Sequence, residues 1–375
     1  MITKLKLLKL AEKIELQAGA MKALKIVFGH ELFPPDITGG GEKLMLRLTK
    51  WLAGRGHSVK VVTSGNPKIK SYEGIRTVRV PANRYLMNIA GLPALLEHGR
   101  DADVVQTSSG NMCWPSYVAA RLLGKPACCW VHHILGSYWR DIRGPIVGRL
   151  FELGERFVLT RCFDAYVLQN ESSKRIGVSM GINPKKVRMI TPGVDLKVFS
   201  PSARAKRDGS VLFVGSIVMD EPAIRTKGLK YVLEAAKLLP DVNFKIVGKF
   251  ERKMESLENV QWLGAVDQKE LVAAYRCAGM VVCASLNEGF GLAILEAMAC
   301  GCPIVSTVGI GQVGPKVRPK DAKALATTIR SYLDNPRKAV ADGKKNAALA
   351  KRHTWKNFYR SFEKIYTDLN KHRSK

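Results

Sequence analysis

Met280-Val281-Val282-Cys283-Ala284-Ser285-Leu286-Asn287-Glu288-Gly289-Phe290-Gly291-Leu292-Ala293-Ile294-Leu295-Glu296 decides the fold. Met280 to Ser285 is an apolar run of strand length, and the stretch after Gly291, rich in Ala, Leu and Met, reads as a helix. Strand, glycine-containing turn and helix make half of a βαβ unit. Ligands of such units sit at the carboxyl ends of the strands. Free N–H groups at the helix start, near Gly291, favour an anion there. Glu288 falls in the turn, and Glu296 projects roughly 12 Å along the axis and about 80° around it at helical spacing. Two carboxylates flanking an anion site suit a ligand with a charged middle and hydroxyl-rich ends, as a sugar nucleotide has.

Outward from this stretch, the 375 residues are the length of two domains rather than one. A hydrophobic content of 46% and a charged content of 25% are those of a globular protein. The eight cysteines include no C-x-x-C pair, and no His or Cys cluster has zinc spacing, so no metal site is expected. Several cysteines lie in apolar runs as small hydrophobes, and a reduced, cytoplasmic protein is expected. No run of about 18 apolar residues exists to span a bilayer.

Sixty Lys and Arg against 32 Asp and Glu leave a net charge of +28, which calls for anionic partners. No RNA-recognition or zinc-finger pattern accompanies the basic residues, so no specific nucleic acid is expected. Residues 1–20 alternate Lys and Leu and then turn acidic. They are a basic amphipathic extension or a mis-assigned start, since the first βα unit begins directly after Met21.

Strand-like runs recur at Leu24–Phe28, Val59–Thr63, Val104–Gln106, Ala127–Val131, Ala165–Leu168 and Val187–Ile190, with helical stretches between them. Phe199 to Gly209 has linker composition. A second series follows at Val211–Gly215, Phe244–Val247, Val260–Leu263, Met280–Ala284 and Ile304–Thr307. The alternation implies an α/β protein of two doubly wound, Rossmann-like parallel-sheet domains facing a cleft, at residues 21–205 and 206–340. Residues 341–375 are closing helices. Gly39, Gly40 and Gly41 follow the first strand, and glycines there let backbone N–H groups approach a diphosphate. The loop is neither G-x-G-x-x-G nor a P-loop. His30 and His132-His133 also end strands.

Glu288-Gly-Phe-Gly-Leu through Glu296, followed by Ala297-Met298-Ala299-Cys300-Gly301-Cys302-Pro303, resembles the E-x7-E signature of retaining glycosyltransferases of family 4, the group 1 enzymes with the GT-B fold. The resemblance covers nearly everything from Leu24 to the C-terminal helices and is looser in the first domain. It implies a second, nucleotide-sugar-binding domain, a first domain that binds the acceptor, and a last helix that crosses back to the first domain. It implies a catalytic group of Glu288, His132 and Lys227, with Lys227 clamping the leaving diphosphate. Ser216 stands where the family has a second clamping Arg, and Arg225 is close enough in sequence to substitute.

By the same resemblance the Gly39–Gly41 loop faces the donor's phosphates, and the backbone around Gly264 and Val266 holds the base. Gly289, Phe290, Gly291 and Leu292 line the donor, Glu288 holds sugar hydroxyls and Glu296 takes the ribose. The family's Gly-Gly-x-Pro-Glu loop is replaced by the shorter Val308 to Pro315, which bears on donor specificity.

The reading is thus a retaining hexosyltransferase that uses a nucleotide diphosphate sugar, without metal or other cofactor, on a glycan or lipid-linked acceptor. The charge and the stretch Tyr138-Trp139-Arg140-Asp141-Ile142-Arg143 suit a peripheral contact with an anionic membrane. Two readings stay open beside it: a nucleotide-sugar epimerase of the same fold, and a non-catalytic basic binding protein on that scaffold.

Overall fold

The structure is a computed structural model that describes residues 22–36, 40–219, 221–250 and 256–373. The reading of residues 1–20, and that of Gly39, lie outside the described residues. Two sheets form. The first carries β1 (Lys25–Gly29), β2 (Ser58–Ser64), β3 (Ser71–Tyr72), β4 (Ile75–Val80), β5 (Val104–Ser108), β6 (Ala127–Trp130), β7 (Ala165–Leu168) and β8 (Val187–Met189). The second carries β9 (Val211–Met219), β10 (Phe244–Phe250), β11 (Val260–Gly264), β12 (Met280–Cys283) and β13 (Ile304–Ser306). The strand orders are β3-β4-β2-β1-β5-β6-β7-β8 and β11-β10-β9-β12-β13. Every pairing is parallel except β3 with β4. Val104–Ser108, Ala127–Trp130 and Ala165–Leu168 are buried along their whole length, as strands covered on both faces must be.

The sequence passed over β3 and β4. Glu73 and Gly74 both have positive φ (45° and 82°), the backbone of a tight hairpin turn, and along Ile75–Val80 burial alternates at period two, with Ile75, Thr77 and Arg79 turned inward. β9 runs on to Met219 rather than stopping near Gly215, because Val218 and Met219 keep pairing with Lys249 and Phe250 after a register shift.

The last helix, Trp355–Arg373, buries Phe358, Phe362, Ile365 and Tyr366 in the core of the first sheet beside Leu24, Phe28, Leu48 and Trp130. That i, i+4, i+7, i+8 spacing is one helix face. Tyr366 donates its hydroxyl to Gln106 Oε1 at 3.0 Å. His57 and Arg55 reach the buried Glu363 carboxylate at 3.1 and 3.2 Å. The segments linking the two sheets run side by side, with the Val194 N–H donating to His353 O at 3.0 Å. A Cβ on Gly193 would overlap the backbone at Trp355, so only a glycine lets these segments cross this closely. No helix among the described residues is long and apolar enough to cross a membrane.

Candidate active site

In the second sheet the strand order reverses between β9 and β12, and their carboxyl ends flank the crevice where such folds take ligands. After β12 the chain turns through Ser285–Phe290 and enters helix Leu292–Ala299 at Gly291, whose φ of 93° favours glycine. Only the residues from Leu292 on are helical, so the eight-residue helical projection from Glu288 to Glu296 fails: half of those steps lie in the turn.

Within the turn, Ser285 Oγ donates to Glu288 Oε1 at 2.7 Å, and Lys227 Nζ donates to the same oxygen at 2.6 Å. Lys227 ends helix Glu221–Lys227 rather than opening the next one. Gly228 (φ 70°) restarts the chain as helix Leu229–Lys237. A Cβ on Gly228 would overlap the Ala284 carbonyl oxygen, and the Leu286 N–H donates to Thr226 O at 2.9 Å. Backbone is pressed on backbone here, and that contact sets the position of the Lys227–Glu288 pair. Their side chains are 28% and 12% exposed. Burial works to lower the Lys227 pKa, but the charge and hydrogen bond of Glu288 outweigh it and raise the pKa, so the ammonium is retained.

The same turn is fastened to the first domain. Asn170 caps helix Glu171–Met180 by accepting the Ser173 N–H at 2.7 Å. Its Nδ2 donates to Glu288 O at 2.7 Å and to Gly289 O. Asn287 Nδ2 donates to Ile134 O, and a Cβ on Gly289 would overlap His132 O. Asn170, Asn287 and Ser285 were not singled out in the sequence. Asn170 was legible only as a helix cap, and its second role depends on a contact 118 positions away.

His132 packs on Trp130 with ring centroids 4.4 Å apart, and its Nε2 has no partner. Burial, then His30 and His133, hold its pKa well below the usual histidine value, so the ring is neutral. A Cβ on Gly41 would lie 3.9 Å from that Nε2, which places the start of helix Gly40–Gly54 beside it. Gly40 is open. His133 is exposed and feels the charges of Glu288 and Lys227.

Glu296 stands apart from the pair. Its Oε2 accepts the hydroxyl of the buried Tyr275 at 3.2 Å. Burial pushes its pKa up from 4.5 to about 7, against the Tyr275 hydrogen bond and the charge of Arg47 on helix Gly40–Gly54.

Arg225 is not brought to Lys227. It reaches Glu221 at 3.3 Å and the carbonyls of Asp141 and Ile142 at 3.5 and 3.4 Å, one face away on its helix. Ser216 lies inside β9, and only its backbone is described. Gly264 (φ 68°) ends β11, and Val266 packs with the core that contains Phe290 and Ile294. Leu292 touches the cores of both domains. The short loop after β13 is stitched by Gln312, which accepts the Ile310 N–H and donates to Val308 O, both at 2.8 Å. Ile310 lies against Gly291. Arg79, also missed in the sequence, is buried and holds Asp36 at 2.6 Å and the Phe33 and Pro34 carbonyls, which shapes the loop ahead of the glycines.

Residues 38–198 match the family described as Glycosyltransferase Family 4, and residues 208–335 the family Glycosyl transferases group 1. A D-inositol 3-phosphate glycosyltransferase of Pseudarthrobacter chlorophenolicus is 30% identical over 54% of this chain, a match that spans 55% of that protein. The chain thus spans about half the length of such curated relatives. A phosphatidyl-myo-inositol mannosyltransferase of Mycobacterium leprae is 25% identical over 88% of this chain and 93% of its own length. Among solved structures, a sucrose-phosphate synthase of Thermosynechococcus elongatus superposes with a TM-score of 0.70 at 21% identity, over 92% of this chain and 99% of the other. Anabaena Alr3699/HepE in complex with UDP also gives a TM-score of 0.70, at 17% identity over 92% and 100%.

Proposed function

We propose that this chain, which belongs to the family 4 (group 1) glycosyltransferases and has their GT-B fold, moves a hexose from a nucleoside diphosphate sugar to an acceptor hydroxyl, with retention of configuration and without a metal ion. The observation that carries the reading is the Lys227–Glu288 pair, held at the strand-order reversal and fastened against the His132 segment.

Breaking the bond between sugar and diphosphate builds negative charge on the departing oxygen. A cation already in place in a water-poor site offsets that charge without rearrangement. Lys227 supplies the cation, and the N–H groups at the start of helix Leu292–Ala299 add to it. The Glu288 carboxylate accepts from hydroxyls of the donor sugar, and the free Nε2 of His132 holds another. Glu296 takes the ribose hydroxyls. An acceptor that attacks from the face the diphosphate leaves has its O–H beside the departing oxygen. As the new carbon–oxygen bond forms, the proton passes to that oxygen and no side-chain base is needed. The acceptor is a polyol or glycolipid bearing an anionic group, in keeping with the relatives' names and the net charge of +28.

A thermal-shift titration with UDP, GDP, ADP and their sugar conjugates tests the reading, on the native protein and on Glu296→Ala. A selective rise in melting temperature that the variant loses is expected. A folded protein that no nucleotide shifts would overturn it.

A further inference from the structure

Helix Pro145–Leu159 is built inside out. Ile146, Leu150, Leu153 and Phe157 are 78%, 64%, 46% and 49% exposed. At ~100° per residue they fall within about 60° of one another, a single stripe along the helix. The residues this helix buries, Gly148 and Leu159, lie on the opposite side. A Cβ on Gly148 would overlap the backbone of Trp139 and Arg140, so the helix seats on Trp139–Arg143 through that glycine. Its carboxylates are turned away from the stripe. Glu155 accepts the N–H groups of Leu135 and Gly136 at 3.1 and 2.7 Å. Glu152 is taken by Arg140 at 2.8 Å and Arg149 at 3.2 Å. A helix on a water-facing surface has the reverse arrangement.

The rim of the stripe is cationic. Arg161 lies over Phe157 at 4.1 Å, and Arg149 and Arg156 are exposed along one flank. We propose that this helix docks the protein on a membrane with anionic headgroups. Its apolar stripe enters the acyl boundary, and the arginines meet the headgroup phosphates. A second copy of the chain fits worse, because it would bring the same arginines against these. The stretch Tyr138–Arg143, to which the sequence pointed, is occupied beneath: Lys320 holds Asp141 at 2.7 Å and lies over the Tyr138 ring at 5.6 Å.

The inference deepens the transfer reading by naming the side from which a lipid-linked acceptor arrives, and it rests on that reading only for the acceptor. The segment from Leu135 to Arg143 joins the docking helix directly to His132, His133 and the Ile134 carbonyl that receives Asn287.

The test is cosedimentation of the full chain with phosphatidylcholine vesicles, with and without a quarter of phosphatidylglycerol. The native protein, Leu150→Gln/Phe157→Gln and Arg149→Gln/Arg156→Gln are compared. The native protein should pellet with the anionic vesicles, and each double variant should lose roughly tenfold in binding with its melting temperature unchanged. Absence of native binding, or variants that bind as well as the native protein, would overturn the proposal. So would light scattering that shows the stripe pairing two copies while vesicles go unbound. The assay contains no nucleotide sugar, so its failure leaves the transfer reading standing. A nucleotide-blind protein that binds vesicles fails only the transfer reading.

Discussion

Glu296 gives a prediction with a sign and a size. Burial raises its pKa from 4.5 to about 7, and the Tyr275 hydrogen bond and the Arg47 charge only partly oppose it. Between those values the folded chain holds a proton that the unfolded chain has lost. The stabilising contribution is therefore complete below the unfolded pKa of 4.5 and is lost as pH rises through about 7. Above that, keeping Glu296 ionised costs up to ~3 kcal/mol, at about 1.4 kcal/mol per pKa unit. Glu296→Gln keeps an acceptor oxygen for Tyr275 and cannot ionise. It should gain stability over the native protein as pH rises from about 5 to about 8.5, by up to ~3 kcal/mol, or roughly 6–10 °C in Tm. Calorimetric melting of both proteins across this range measures the difference. Melting curves that run parallel at every pH would refute the argument that the desolvated Glu296 controls it. The same logic extends to ligand. Ribose hydroxyls donate to a carboxylate, so nucleotide should bind the native protein more tightly as pH rises through about 7, and Glu296→Gln should lose that slope.

Gly228→Ala puts a Cβ into the Ala284 carbonyl oxygen at a φ of 70°, and should cost more than ~2 kcal/mol in a urea unfolding series. Asn170→Ala removes a helix cap and the donors to Glu288 O and Gly289 O. It should cost about 1–2 kcal/mol and increase the radius of gyration in X-ray scattering, as the clasp between the domains loosens. Transfer assayed after EDTA treatment should match the untreated rate if, as proposed, Lys227 and a helix start carry the charge on the leaving group; a loss restored by Mg²⁺ would contradict that assignment.

Local pattern was enough for most of the parallel strands. Val211, Met280 and Ile304 begin strands that the apolar runs marked, because a strand covered on both faces is apolar along its length. The β3–β4 hairpin escaped because two of the inward positions of Ile75–Val80 are the polar Thr77 and Arg79, so the strand shows neither an apolar run nor an apolar–polar alternation. The glutamate turn was legible as a turn, but not its surroundings. Asn170 and the carbonyls of Ile134 and His132 meet Glu288, Asn287 and Gly289 across the domain boundary, and no local pattern encodes such a contact. Arg225 looked close to Lys227 in sequence, yet two positions along a helix is about 200° of rotation, which turned it to the Asp141 and Ile142 carbonyls. The helix Pro145–Leu159 shows the period of an ordinary amphipathic helix, and only the packing reveals that its apolar side faces out.

The central claim is that Lys227, held on Glu288, is the counter-charge for a donor diphosphate. Isothermal titration of a nucleoside diphosphate and of its parent nucleoside into the native protein and Lys227→Ala tests it most directly. The account predicts that the variant loses at least about tenfold, or ~1.4 kcal/mol, on the diphosphate and nothing on the nucleoside. Equal affinity of both proteins for the diphosphate would contradict it.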